Sequence, residues 1–170
     1  MVRNDDLRKE KTSFAIIDAK SIKNVDTAEK KGYDAGKKVS GIKLHISVDT
    51  LGLPHTLHVT CANVTDRKGA LEMVSLNLES LSCVEKFIVD GGYTGNKFAD
   101  SIKDLCNADV EVVKRNEQHT FEVLPKRWIV ERSFGWLEKY RRLWKNCERK
   151  LHTSLQMTVL AFISVLIRRF

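Results

Sequence analysis

The chain has 170 residues, 42% of them hydrophobic and 30% charged, with two prolines and nine glycines. That suffices for one domain with its own core and excludes long disordered linkers. A formal net charge of +7 and a pI near 9.3 fit a polyanion partner such as nucleic acid, and fit plain solubility charge equally.

Residues 1–13 are polar and charged and read as a mobile lead-in, without the apolar run of a signal peptide. Phe14-Ala15-Ile16-Ile17 reads as a short strand that reaches Asp18, and the alternation from Ala19 to Lys23 continues it past that acid. Asp is disfavoured in strands, so Asp18 is either an exposed edge residue or an acid placed there for chemistry. Asn24 to Gly41 reads as a loop rich in Lys, Asp and Gly. Its stretch from Gly32 to Lys38 fails the phosphate-loop pattern, because the glycine spacing is one short and Lys38 stands where Ser or Thr is needed. The loop is either a contact for nucleic-acid backbone or a solvated basic segment.

Leu44, Ile46 and Val48 alternate cleanly, and His55 to Cys61 is rich in β-formers, which predicts an antiparallel hairpin. His55 and His58 fall on opposite faces of that strand, which argues against a His–His metal pair. Thr65 or Asp66 caps a helix running through Ala70 to Leu81, with Leu71, Val74, Leu78 and Leu81 as its buried stripe. Lys86 to Val89 forms a short buried strand that ends on Asp90, followed at once by Gly91 and Gly92. This is either an ordinary Asp-Gly turn or a carboxylate presented at a strand end with open space beside it.

A helix over Asn96 to Cys106, buried through Phe98, Ile102 and Leu105, leads to a strand over Asp109 to Val113 and a polar loop over Arg115 to Phe121. A long helix begins at Pro125 and runs through Leu137 or on to Trp144, with Val130, Phe134, Leu137 and Trp144 on its packed stripe. Arg127 and Glu131 are spaced for a surface ion pair, and the basic excess between Arg127 and Lys150 also suits a nucleic-acid backbone. The tail from Leu155 to Ile167 is the most apolar segment; Gln156, Thr158 and Ser164 interrupt it, and it reads as a buried helix rather than a membrane span. Cys61, Cys83, Cys106 and Cys147 form no CxxC pair and read as reduced core thiols.

Three strands, then helix, strand, helix, strand, predict an α/β architecture: an antiparallel meander followed by strands parallel to the first. That is the order of the ribonuclease-H-like fold, a mixed five-stranded sheet with flanking helices. It spans residues 14–150, with the apolar helix of 151–170 packed on it. The first and fourth strands are neighbours at the centre of such a sheet, which sets Asp18 beside Asp90.

Six blocks in order carry a closer likeness: Asp18 to Lys23; Gly32 to Lys38 with Gly41 to His45; Val48 to Gly52; Asp66 to Ala70; Val89 to Tyr93; and Leu124 to Arg132, extended by Trp136-Leu137 and Tyr140 to Leu143. On these residues the chain resembles the DDE transposases of bacterial insertion sequences, in particular the insertion-sequence-five (IS-five) group. The resemblance implies that Asp18, Asp90 and Glu131 form a catalytic acidic triad. It also implies that they hold Mg²⁺ or Mn²⁺, as two ions, for DNA strand cleavage and transfer. Arg127 matches the arginine of the family signature. With Lys139, Arg141, Arg142, Lys37 and Lys38 it forms the expected DNA-binding set.

Leu124 stands where the family pattern has a tyrosine, and Glu138 where it has a lysine. The implied partners are double-stranded DNA, as terminal repeats and target, with a second copy of the chain or a partner chain carrying an N-terminal recognition region. No membrane partner is expected, and the implied location is the bacterial cytoplasm. About a dozen residues precede the first strand, so the chain resembles the catalytic half alone. The alternative expectation is a truncated, non-catalytic DNA-binding or regulatory fragment.

Overall fold

A strand that is apolar on both faces has to be covered on both sides, and Phe14 to Ile17 imposes this condition on the whole fold. β1 (Phe14–Lys23) runs unbroken through Asp18 at the centre of a mixed sheet. On one side it pairs antiparallel with β3 (Val39–Val48). The far edge of β3 carries the short β2 (Gly32–Asp34) and then β4 (Pro54–Cys61). On its other side β1 pairs parallel with β5 (Lys86–Asp90), which pairs parallel with β6 (Asp109–Val113). The computed structural model describes residues 11–113 and 127–169, with the backbone alone at Arg127 and Arg169. Most of the expected lead-in, the loop over 115–121 and the helix start at Pro125 lie outside the described residues.

The order β4–β3–β1–β5–β6, with three antiparallel strands and then two parallel ones, is the α/β, ribonuclease-H-like sheet expected from the sequence. β2 is a sixth strand, inside the segment read as a loop. Gly32 and Gly41 face each other across the pair. A Cβ at Gly32 would stand 2.1 Å from Asn63 Oδ1, and one at Gly41 2.0 Å from the carbonyl of Ile22, so glycine lets this pair lie close against Asn63 and β1.

Helices cover both faces. α1 (Asp66–Ser75) and α2 (Asn96–Cys106) lie on one, burying Ala15, Ile17, Phe87 and Val89 with Ala70, Met73, Val74, Phe98 and Ile102. α3 (Arg127–Leu137) and α4 (Leu151–Arg169) lie on the other, over Ile16, Leu44, Ile46, Val48 and Ile88. α1 buries only part of the expected stripe: Val74 is buried, as is Leu81 beyond the helix end, and Leu71 is half-buried. It ends at Ser75, leaves Leu78 exposed, and meets the sheet through Gly69, Ala70, Met73 and Val74. The cause is Gly69, which lets the helix backbone rest on His45 of β3: a Cβ there would lie 2.1 Å from the imidazole ring.

Three further expectations are corrected. α3 stops at Leu137, short of Trp144, which is 62% exposed beside a single 3₁₀ turn over Arg141–Leu143. α4 is not a wholly buried helix. Ser154, Thr158, Ala161, Phe162 and Val165 pack inward, while Val159, Leu160, Ile163 and Ile167 face outward. By length and composition α4 is apolar enough to cross a membrane. None of the four cysteines is a buried core thiol; Cys83 and Cys147 are exposed.

The α1 face of β3 and β4 is polar yet covered. His45 is fully buried, its Nε2 sits 3.0 Å from Thr60 Oγ1, and burial holds its pKa down at about 3. The unfolded chain takes up this proton near pH 6.5 and the folded chain resists it, so stability falls as the pH drops from about 6.5 towards 3. We expect a denaturant midpoint that falls across this window, with a loss of up to about 4 kcal/mol, and a flatter profile in His45→Gln. Gly69→Ala gains helix propensity but drives a methyl into the His45 ring; a net loss of about 1–3 kcal/mol is expected in urea unfolding.

Candidate active site

The register of β1 on β5 pairs Phe14 with Lys86, Ala15 with Phe87 and Ile16 with Ile88. Carried on by two residues, it sets Asp18 level with Asp90 on the neighbouring strand. Alternation turns both acids to the face of Ile16 and Ile88, under α3. Asp18, Asp90, Val113 and Val130 line one shallow cavity there. Both carboxylates are half-buried, and each is oriented by a local backbone donor. Ala19 N donates to Asp18 Oδ1 at 2.7 Å, and Gly92 N donates to Asp90 Oδ1 at 2.9 Å.

The turn after Asp90 is one 3₁₀ turn, Gly91–Tyr93. A Cβ on Gly92 would come within 3.0 Å of Asp90 Oδ1, whereas one on Gly91 would meet nothing. Only the second glycine is therefore needed to spare the carboxylate. Tyr93 closes the turn, 1% exposed and packed against Phe98. Among the described residues its hydroxyl has no hydrogen-bond partner, and burial together with the charges of Asp18, Asp66 and Asp90 holds the phenol well above its usual pKa, so it stays neutral.

Glu131 sits on α3, directly after Val130, and is exposed. The helix is placed by a device that composition does not reveal. Asp49 is fully buried at the β3–β4 turn, where its Oδ1 accepts from Leu51 N at 2.8 Å and Leu53 N at 3.0 Å. The turn then offers its carbonyls to α3. Ser133 Oγ donates to Gly52 O at 2.8 Å, and Arg132 Nη2 donates to Leu51 O at 2.8 Å. The Arg132 guanidinium also lies over Trp128 and Trp136, at 4.6 and 5.3 Å from the ring centroids.

The donor set fits a hard divalent ion such as Mg²⁺ or Mn²⁺, because two half-buried carboxylates stand at one height on adjacent strands and offer oxygen ligands. Among the described residues, no three acid, histidine or cysteine side chains converge on a single point. The structure thus aligns Asp18 with Asp90 and leaves Glu131 on the covering helix, outside any such cluster.

The expected cationic residues occupy two places. Lys139 and Arg141 are exposed beyond the end of α3, and Arg142 pairs with Glu148 at 2.8 Å. Lys37 and Lys38 lie in the β2–β3 turn; Lys37 Nζ donates to Ala19 O at 3.1 Å, and Lys38 adopts φ 54°. The side chain of Arg127 lies outside the described residues. Glu138, at the position of the family lysine, pairs with Lys20 of β1.

Asp34, from the segment read as a loop, and Asp66, at the start of α1, meet at Lys43. This lysine is 4% exposed on a central strand, and its Nζ lies 3.2 Å from Asp34 Oδ2, 2.8 Å from Asp66 Oδ1 and 2.8 Å from Val64 O. The Ser21 hydroxyl, at 2.6 Å, and Lys43 hold the Asp34 pKa down at about 2. The sequence signal was available: a lysine in an alternating strand needs buried partners if a helix covers its face.

The α/β sheet thus sets two aspartates level on neighbouring parallel strands near its centre. Residues 9–166 match the family described as Transposase DDE domain, and the chain belongs to that family. It is 30% identical over 117 residues to a putative transposase for insertion sequence element IS402 of Burkholderia cepacia, covering 65% of this chain and 55% of that protein. The chain thus spans little more than half the length of this relative. Among solved structures it is similar to a piggyBac transposase, determined by cryo-EM as a synaptic complex with hairpin DNA. The TM-score is 0.43 at 14% identity, covering 66% of this chain and 25% of that one.

Removing the amine at the centre of the buried ion cluster would strand two acids. Lys43→Ala is expected to cost about 3 kcal/mol or more in urea unfolding. Loss of less than about 1 kcal/mol would show that water replaces the ammonium.

Proposed function

We propose that this chain carries the strand-cleaving and strand-joining chemistry of an insertion-element transposase, with Asp18, Asp90 and Glu131 as its catalytic carboxylates. The observation that carries this is the register that sets Asp18 level with Asp90, on a chain of the DDE family. In this reading Asp18 and Asp90 hold Mg²⁺ or Mn²⁺, two ions in all, and Glu131 completes the second position from α3. The ions supply Lewis-acid polarisation of the phosphodiester and an activated water or 3′-hydroxyl. The chain's own contribution is alignment: Ala19 N and Gly92 N fix which carboxylate oxygens face the ions, and the Asp49 turn fixes the helix that brings Glu131.

The substrate is double-stranded DNA, as the ends of the element and as its target. Arg127, Lys139, Arg141, Arg142 and Lys38 contact its phosphates, together with whatever share of Lys37 its bond to Ala19 leaves. The blocks around Asp66, Asp90 and Glu131 favour the IS-five group. A second copy of the chain, or a chain carrying an end-recognition region, is the implied protein partner. The location is the bacterial cytoplasm.

The test is incubation with labelled DNA bearing the element's ends, in Mg²⁺ or Mn²⁺, alongside Asp90→Asn. Metal-dependent nicking that falls to background in the variant is expected. Binding without cleavage by the unaltered chain would favour the non-catalytic DNA-binding reading, and cleavage that survives Asp90→Asn would remove Asp90 from the chemistry.

A further inference from the structure

The two aspartates are each aligned by one neighbouring residue, and that residue is gripped from both sides. Ala19 gives its N–H to Asp18 and receives Lys37 Nζ on its carbonyl at 3.1 Å. Gly92 gives its N–H to Asp90 and receives Arg67 Nε on its carbonyl at 3.1 Å. The two basic residues come from different elements, the β2–β3 turn and the first turn of α1. Both elements are anchored at one point. Asp34 accepts from Lys37 N at 3.1 Å and pairs with Lys43. Asp66, the residue before Arg67, pairs with the same Lys43. Ser21 Oγ, three residues after Asp18, ties Asp34 back to β1.

We propose that Lys37 and Arg67 are positioning residues for the two carboxylates, holding the backbone amides that orient Asp18 and Asp90, with the buried Lys43–Asp34–Asp66 cluster as their common anchor. This rests on the reading of Asp18 and Asp90 as metal-holding acids. A carboxylate whose orienting N–H is free to rotate with its peptide presents its oxygens poorly, and partners outside the ligand shell commonly change metal affinity by roughly 10–100-fold. The carbonyl that each cation holds belongs to the next peptide along, so the tether restrains the orienting N–H through the single Cα of Ala19 or Gly92 between them, by a charge-assisted hydrogen bond. Neither Lys37 nor Arg67 needs to touch the ion or the DNA for this. Arg67 comes from the side of the sheet opposite α3, the helix with Glu131.

The test follows the amide resonances of Ala19 and Gly92 by ¹H–¹⁵N NMR, and titrates Mn²⁺ by water-proton relaxation, in the unaltered chain, Lys37→Met, Arg67→Met, Arg67→Lys and Asp90→Asn. Arg67→Met should move the Gly92 amide and leave Ala19 in place, and Lys37→Met should do the reverse. Each should weaken Mn²⁺ binding about tenfold, and Arg67→Lys should recover part of the loss by restoring a cationic donor. Wild-type amide shifts and wild-type Mn²⁺ affinity in both methionine variants, with affinity lost in Asp90→Asn, would overturn the positioning roles alone. Mn²⁺ affinity indifferent to Asp90→Asn would overturn the metal-centre reading instead, and the amide shifts would then decide the tethers by themselves. If a methionine variant fails to fold, Lys37→Gln and Arg67→Gln carry the same readouts.

Discussion

A slip of one residue in the parallel pairing of β1 with β5 would turn Asp90 to the opposite face of the sheet and leave Asp18 alone. The register is therefore the constraint on which the rest depends, and the apolar residues hold it. Ile16 and Ile88 face α3, while Ala15, Ile17, Phe87 and Val89 face α1 and α2. Each slip would push a full set of large side chains into the wrong layer. The cores that look like packing on either face are also what keeps two carboxylates at one height.

The antiparallel half of the sheet solves a different problem. Its strands β3 and β4 offer a polar face to α1, and a covered polar face has to be satisfied internally. Lys43 does so with two carboxylates and a carbonyl; His45 does so only at Nε2, against Thr60, while its Nδ1 and the Ser47 and Thr56 hydroxyls are buried without a hydrogen-bond partner among the described residues. A buried ion cluster adds little to stability compared with an apolar one of equal volume. Its value here is geometric: it fixes where the β2–β3 turn and the first turn of α1 stand relative to β1.

Much of this was legible in the sequence because the informative residues break local rules. Asp18 inside an apolar strand and Asp90 at the end of another have no reason in β-propensity, and strand order alone brought them together. The strands β5 and β6 and the helix α2 were readable to the residue, since their apolar pattern is short, regular and bounded by turn signals. What was not legible depended on close approach. The face of α1 could not be chosen from its leucines, because Gly69 against His45 decides it. The strand β2 hid in a charged segment, where Gly32 pairs with Gly41. Alternation in β3 called for partners to Lys43 once a helix covers its face, but that Asp34 and Asp66 supply them depends on how β2 and α1 fold back on the strand. The third acid shows the remaining limit: the sequence pattern names Glu131, while its place over the sheet depends on Asp49 and its turn, far away in the chain.

The outward stripe of α4 has a consequence for the behaviour of the chain in solution. Val159, Leu160, Ile163 and Ile167 offer an apolar strip on a molecule whose net charge is +7. At low ionic strength like charge keeps copies apart; added salt shortens the reach of that repulsion and leaves the strip unopposed. Solubility then falls as salt rises, and the chain stays dispersed best at low ionic strength.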